Sequence, residues 1–465
     1  APKYKAEARK LMAKCQNSVP AWIMPMNKVV ESLDPRQNRF DVIIVDEASQ
    51  SDVTALGILY LGKKMIIVGD DKQVSPLAIG TDAGRMSALE DMYLKGVVPS
   101  SHLYGAQTSL YDIAMTTYQP LMLREHFRCV PDIIGFSNML SYDGSIRPLR
   151  DSGSTRLLPS VVNYRVEDGV RDGKRNLTEA VATAALIRAC IDQPEYEGKT
   201  MGVISMLGDE QAKTVSDQLY RFLEPAQLDE RKLICGNAAH FQGDERDVIF
   251  LSLVDSPSEK GALSLAGFGA GDSTKKRYNV AASRAKDQLW IVHSLDAAAD
   301  LKPGDIRRTL LEYAADPAAG FGAVMQDDQT AFDLEELAAK ALKDNGFEVL
   351  RSHSAGGYVL GLVVSCEGRH AAVLCDGDRR CSQAQIRLDM ECQTILERAG
   401  WRFFRLRASD YYSDPKKAIT KLATQLQNAD IRPASSTISQ EAPLLQRVLE
   451  RAGDYLKEMQ EEVSR

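Results

Sequence analysis

Several features that mark extracellular, membrane or strongly basic proteins are missing from this 465-residue chain. Its eight cysteines, at 15, 129, 190, 235, 366, 375, 381 and 392, include no CxxC pair. Thiols scattered in this way through a chain of this size are expected to be reduced. Cys366, His370, Cys375, Cys381 and Cys392 lie near one another in sequence, but their spacing fits no tight ligand knuckle, and no zinc is expected. No apolar run approaches a membrane span, and the opening Ala1-Pro2-Lys3-Tyr4-Lys5 has no signal-peptide core. The expectation is a soluble, cytoplasmic chain with no membrane partner. Basic residues are not in excess either: the net charge is -7, read here as a matter of solubility. Also lacking is a phosphate-cradling loop GxxxxGK[ST] between a strand and a helix. The one Gly-Lys-Thr, Gly198-Lys199-Thr200, has Gln193 where the leading glycine should be and precedes an apolar strand instead of following one. It is rejected as a nucleotide loop.

What is present is enough to build cores, with 44% hydrophobic residues over a length that suggests about three domains. The most informative run is Asp41-Val42-Ile43-Ile44-Val45-Asp46-Glu47-Ala48-Ser49-Gln50. Apolar residues leading into two carboxylates read as a buried parallel strand that delivers acids at its carboxyl end, where open α/β sheets bind ligands. One acid can hold a magnesium ion while its neighbour orients or deprotonates a water. A second apolar strand, Met65 to Val68, ends in Gly69-Asp70-Asp71-Lys72-Gln73, whose Gln73 can offer an amide to a water or a phosphate. Three arginine-bearing clusters follow: Leu123-Arg124-Glu125-His126-Phe127-Arg128-Cys129-Val130-Pro131, His240-Phe241-Gln242-Gly243-Asp244-Glu245-Arg246-Asp247, and Arg277-Tyr278-Asn279-Val280-Ala281-Ala282-Ser283-Arg284-Ala285-Lys286.

Together and in this order the five segments resemble motifs II to VI of superfamily 1 helicases. The resemblance is closest to the branch of the nonsense-mediated-decay helicase, through DEASQ, GDxxQxxP, HFRCxP, FQGxERD and NVAxSRAK, and covers roughly residues 40 to 295. It implies an ATP-driven motor of two RecA-like domains, with nucleotide bound between them and a single strand of nucleic acid, DNA or RNA, across their tops, moving 5′ to 3′. By matching position it makes Asp46 the magnesium ligand, Glu47 the general base and Gln73 the γ-phosphate sensor. Arg128 and Arg284 become arginine fingers and Glu245 faces the ribose or its surroundings. Arg277, at the head of the last motif, is placed with Asp46 and Glu245 among the nucleotide-binding residues. Phosphoryl transfer needs a metal, a positioned water and cations where charge spreads, and arginine grips phosphate bidentately. In this family the phosphate loop lies well before DEASQ. The chain is therefore expected to be the carboxyl-terminal part of a longer polypeptide or one subunit of a split enzyme, inactive without that amino-terminal portion.

The expected fold class is α/β: RecA-like parallel-sheet motor domains, the first incomplete, followed by a restriction-endonuclease-like α/β domain. Boundaries are placed at 1–120, 121–315, 330–428 and a helical tail at 433–465. Early in the chain a helix is expected from Lys5 to Cys15, and a domain boundary near Ala314 to Gly320. Residues 255–276, rich in Gly, Ser and Ala, read as a loop. Strands at 347–351, 358–364, 370–375 and 401–406 with helices at 332–345 and 390–399 resemble the very-short-patch-repair type of PD-(D/E)XK nuclease. That family carries Ile-Asp on one strand and Glu-Cys-Asp-Gly on the next, where the acids bind the metal that activates water. Here those places hold Leu360-Gly361 and Leu374-Cys375-Asp376-Gly377, so only Glu335 and Asp376 remain, and the expectation is a degenerate nuclease that binds DNA or docks a partner. Asp378 or Glu367 could act as a shifted acid. Helicase action in repair or genome defence is the leading function, with ATP and Mg2+ as cofactors. The alternatives are a nucleic-acid-binding or scaffold module whose motifs serve as a nucleotide switch, and an ATP-driven nuclease.

Overall fold

In the computed structural model the apolar run before Asp46 is strand β1, Phe40–Val45, and the second run is β2, Gly62–Ile67, paired with it in parallel so that Ile43 meets Met65 and Val45 meets Ile67. The structure describes residues 7, 11–12, 14–15, 18–36, 38–74, 82–105, 108–151, 155–258, 261–267, 272–317, 333–366, 369–376, 383–433 and 443–463. Most of the expected helix before Cys15, much of the 314–320 boundary, the linker 434–437, and Glu367, Asp378 and Cys381 lie outside them. Two units result, Ala1–Met122 and Leu123–Arg465. No described helix is long and apolar enough to cross a membrane.

In the first unit one face of β1 and β2 is buried, with Ile43, Val45 and Ile67 packed around Ala48, Ala55 and Leu110. The opposite face is open: Val42, Ile44 and Ile66 are 46%, 64% and 50% exposed. The expectation of a fully buried strand is corrected to a half-buried one, because this sheet has two strands among the described residues and no layer of them covers its second side. Two helices follow, Ala83–Tyr93, started by the Asp82 carboxylate accepting from Gly84 and Arg85 N–H, and Leu110–Met115, started by a Ser109–Asp112 capping box.

The second unit opens with the short parallel pair β3, Glu125–His126, and β4, Arg147–Pro148, flanking the helix Pro131–Ser141. Its main sheet comprises β5 (Val161–Arg165), β8 (Met201–Ser205), β9 (Ile234–Asn237), β10 (Arg246–Ser252) and β11 (Ala285–His293), with a small hairpin, β6 (Arg171–Asp172) and β7 (Arg175–Asn176), beside it. The order is β5-β11-β10-β8-β9, all parallel. β8 is buried along its whole length, as are β10 and β11 but for single residues, and such strands read as continuous apolar runs. Helix Leu177–Ile191 covers one face. The Asn176 side chain caps it by accepting from Glu179 N–H, and its many alanines allow close approach. What lies on that helix is the last helix of the chain, Leu444–Val463. Val448, Ala452, Tyr455 and Met459 recur at helical spacing and join the same buried cluster. Arg188 stacks 3.8 Å over the Tyr455 ring, Arg451 pairs with Asp192 at 2.8 Å, and Arg447 pairs with Glu195.

Residues 333–431 of the second unit form a mixed sheet, β12 (Glu348–Ala355), β13 (Tyr358–Cys366), β14 (Arg369–Asp376) and β15 (Arg402–Arg407), antiparallel except for the parallel pair β14–β15. Helices Asp333–Asp344 and Pro415–Asn428 cover one face through Leu334, Leu342, Leu422 and Leu426, whereas Gln383–Arg398 covers the other through Leu396. The first helix stops at Gly346, whose φ of 85° is the left-handed conformation a closing glycine supplies.

Candidate active site

Parallel pairing of β1 and β2 brings both polar turns to one sheet end. Ala48 N–H donates to Val68 O at 2.8 Å and Asp70 N–H to Ser49 Oγ at 3.3 Å, locking the two turns together. Gly69 is required there, since a Cβ would fall 2.8 Å from the Tyr111 ring and 3.0 Å from Ser49 N. Asp46 and Glu47 are exposed. Glu47 sits in the left-handed region (φ 52°, ψ 37°), a conformation that costs a non-glycine residue on the order of 1 kcal/mol or more and concentrates at functional sites. Its N–H donates to Asp46 Oδ1 at 2.9 Å and its carboxylate accepts from Gln50 Nε2 at 2.9 Å. Gln73, half-buried, donates its amide to Asp70 Oδ2 at 2.9 Å. An exposed aspartate offering hard oxygen beside a second acid suits a magnesium ion.

The second unit builds a cleft of about 510 Å³ from the ends of several elements. Arg128 lines it and donates through Nε to Glu245 Oε2 at 2.6 Å. Lys286 faces Glu245 at 3.8 Å and Asp247 at 3.0 Å, and Lys199 reaches Asp287 at 2.7 Å. Arg150 also pairs with Asp287, and Phe127 is part of the lining. Burial pushes the Asp247 carboxyl up, but the Thr200 N–H and hydroxyl together with Lys286 outweigh it, so the group is held below its ordinary range. Below Arg128 the His126 ring is driven down to about 4 by burial and by the neighbouring guanidinium groups. It stays neutral and accepts the Cys129 N–H through Nε2 at 3.0 Å, which sets the turn that carries Arg128.

Of the residues singled out in the sequence, Arg128 and Glu245 meet in this cleft. Arg284 does not line it. That side chain is 2% exposed and donates to the Val280, Phe241 and Asp244 carbonyls at 3.1, 3.5 and 3.4 Å, underpinning the turn that presents Glu245. Arg277 is half-buried, with Nη2 at 3.4 Å from Thr274 Oγ1, and also lies off the cleft lining. Lys286 and Asp247 stood inside the quoted motifs without a role. Arg150, Lys199 and Asp287 could not be found by spacing, because their convergence depends on three separate strand ends.

In the nuclease-like portion Glu335 and Asp376 lie in different surroundings. The Glu335 carboxylate lies against Gly361, where a Cβ would fall 2.6 Å from Oε1, so the glycine is what admits the glutamate. Asp376 pairs with Arg405, which also donates to Gln393 Oε1 at 3.2 Å. No group of three metal-binding side chains exists among the described residues.

Residues 27–80 match the AAA domain family AAA_11, residues 106–296 the AAA domain family AAA_12, and residues 334–426 the family REase_MTES_1575. The matched regions are helicase domains of the AAA_11 and AAA_12 type and a REase_MTES_1575 nuclease-like domain, and the relatives they share are superfamily 1 helicases. The 5'-3' DNA helicase ZGRF1 of Mus musculus is 28% identical over 271 residues, 55% of this chain and 13% of that protein. DNA replication ATP-dependent helicase/nuclease DNA2 of Gallus gallus is 24% identical over 261 residues, 55% of this chain and 23% of the relative. Helicase SEN1 of Saccharomyces cerevisiae is 24% identical over 299 residues, 60% and 12%. The chain thus spans less than a quarter of each of these relatives. ATP use, generally with Mg2+, goes with the family.

Proposed function

We propose that this chain supplies the acid and arginine machinery of an ATP-driven motor that translocates 5′ to 3′ on nucleic acid, DNA in the first instance, in repair or genome defence. The observation that carries this reading is the locked pair of turns at the end of β1 and β2, which presents Asp46 and a left-handed Glu47 beside Gln73. Asp46 would hold Mg2+, Glu47 would take the proton of the attacking water, and Gln73 would orient that water. Arg128 would neutralise charge on the transferring phosphoryl group, with Arg284 and Arg277 completing the basic set and Glu245 steering the nucleotide. The phosphates need a cradle that residues 1–465 do not encode, to be supplied by an amino-terminal portion or partner subunit; the open apolar face of Val42, Ile44 and Ile66 supports an added layer there.

A second reading, a nucleotide-dependent switch on a scaffold, is favoured by the burial of Arg284. One experiment separates the two. In the full-length protein, single-stranded DNA should stimulate steady-state ATP hydrolysis, and Glu47→Gln should abolish it while nucleotide binding persists. Binding without turnover in the unmodified protein supports the switch and refutes the motor. We assign the nuclease-like portion, domain 330–428, to binding DNA or docking a partner, since Asp376 is paired with Arg405 and the described residues gather no group of three metal-binding side chains.

A further inference from the structure

Residues 147–151 join two parts of the second unit, and successive side chains point to opposite sides. Leu149 is fully buried in the nuclease-like cluster with Leu360, Val363, Leu396 and Trp401. It can enter because the β12–β13 hairpin turns on Gly356-Gly357, with φ of 59° and 85°, and a Cβ at 356 would lie 2.0 Å from Leu149 Cδ2. Two residues on, Asp151 is hydrogen-bonded to His370 of β14, Oδ1 to Nδ1 at 2.6 Å, with the side chains only 7% and 14% exposed. The His370 ring stacks on Trp401 at 6.0 Å and 16°.

Arg150, between these two anchors, points the other way. Its Nη1 donates to the Arg128 carbonyl at 2.8 Å and the Lys286 carbonyl at 2.9 Å, and its Nη2 pairs with Asp287. Main-chain bonds finish the attachment: Leu149 N–H donates to His126 O at 2.9 Å and Val130 N–H to Lys286 O at 3.0 Å. The backbone that carries the cleft arginine is thereby tied to a residue whose neighbours on both sides are gripped by the nuclease-like portion.

We propose that Arg150 is a positioning residue for Arg128 and that the nuclease-like portion acts as the clamp that holds it in place. The proposal rests on the reading of Arg128 as a transition-state cation. The nuclease-like portion has a role in the motor in this way: its hairpin pocket and His370 aim a segment whose outward face completes the motor's cleft. Misplacing a catalytic group by about 1 Å can cost up to 10²-fold in rate, so the clamp should appear in turnover and not in nucleotide affinity.

The test uses the full-length protein with Leu149→Ala, His370→Gln, Arg150→Gln and Arg150→Lys, alongside Arg128→Ala. Two quantities are read: amide hydrogen exchange at residues 125–130, and kcat and KM for ATP with single-stranded DNA. Expected are faster exchange at 125–130 in the first three variants, kcat reduced on the order of tenfold with KM within about twofold, and partial recovery of kcat in Arg150→Lys relative to Arg150→Gln. Unchanged exchange in both Leu149→Ala and His370→Gln overturns the clamp, whatever the activity. Faster exchange with full kcat, in a protein that Arg128→Ala inactivates, overturns it too. If Arg128→Ala itself retains normal turnover, the catalytic reading of Arg128 fails, while the exchange data still decide whether the segment is clamped.

Discussion

Replacing Glu179 by glutamine should flatten the pH dependence of stability of the second unit. Glu179 is fully buried where β10 and β11 end, and its carboxylate accepts from Ser252 Oγ at 2.7 Å and Val254 N–H at 2.9 Å, with Ser294 Oγ and Asn176 Nδ2 both at 3.4 Å. Burial outweighs these donors and raises its pKa from 4.5 to about 8. A carboxyl whose pKa is higher in the folded state binds its proton more tightly there. Its contribution to stability is therefore complete below the unfolded value and is lost as pH rises from 4.5 towards 8. Linkage across that interval amounts to about 4 kcal/mol lost between pH 5 and pH 8.5. Glutamine cannot ionise, so the variant should be the less stable protein at pH 5 and lack the decline above it. Urea unfolding read from Trp290, which is 0% exposed on β11, measures this in a background with Trp22 and Trp401 replaced by phenylalanine. A wild-type slope no steeper than that of Glu179→Gln would show that the group is ionised in the folded state and that its four donors prevail over burial.

Arg284→Ala should lower ATP turnover by loosening the turn that presents Glu245, and a loss on the order of 10³-fold, the scale of a lost arginine finger, would mean that the side chain leaves its buried position to reach the phosphate; near-normal turnover in a stimulated ATPase assay would assign the residue to packing beneath the Phe241 and Asp244 carbonyls alone. The nuclease-like portion should give no Mg2+- or Mn2+-dependent cleavage of labelled single-stranded, duplex or forked DNA or of RNA, and cleavage that disappears in Asp376→Ala would show a live active site. Tyr455→Ala should destabilise the second unit by about 3 kcal/mol, because it removes a buried ring, the stacking of Arg188 and the hydroxyl bond to Asp192; an unchanged urea midpoint would mean that the last helix is not held on Leu177–Ile191.

Local sequence carried the elements well where one physical signal dominated. Asn176 ahead of an apolar-periodic run is the N-cap of Leu177–Ile191, since a side-chain oxygen three residues before a free N–H satisfies it in any context. Gly346 closes a helix because only glycine takes a positive φ there without strain. The three central strands of the five-stranded sheet are continuous apolar runs because both of their faces are buried. β1 misled for the same reason, since its apolar run predicted two buried faces and one is open.

By itself, then, the sequence determined the acids after β1, the arginine-bearing turns and the parallel architecture, because each depends on residue type and short spacing. Tertiary structure decided what those residues do for one another. It buried Arg284 beneath the turn that presents Glu245 and left Arg128 in the cleft. It set the Glu335 carboxylate against Gly361, and laid the last helix on Leu177–Ile191. It also set Arg150 between two side chains held by another sheet. None of these follows from spacing, because each joins groups more than twenty residues apart whose meeting depends on strand order and side-chain direction, and a linear pattern records neither.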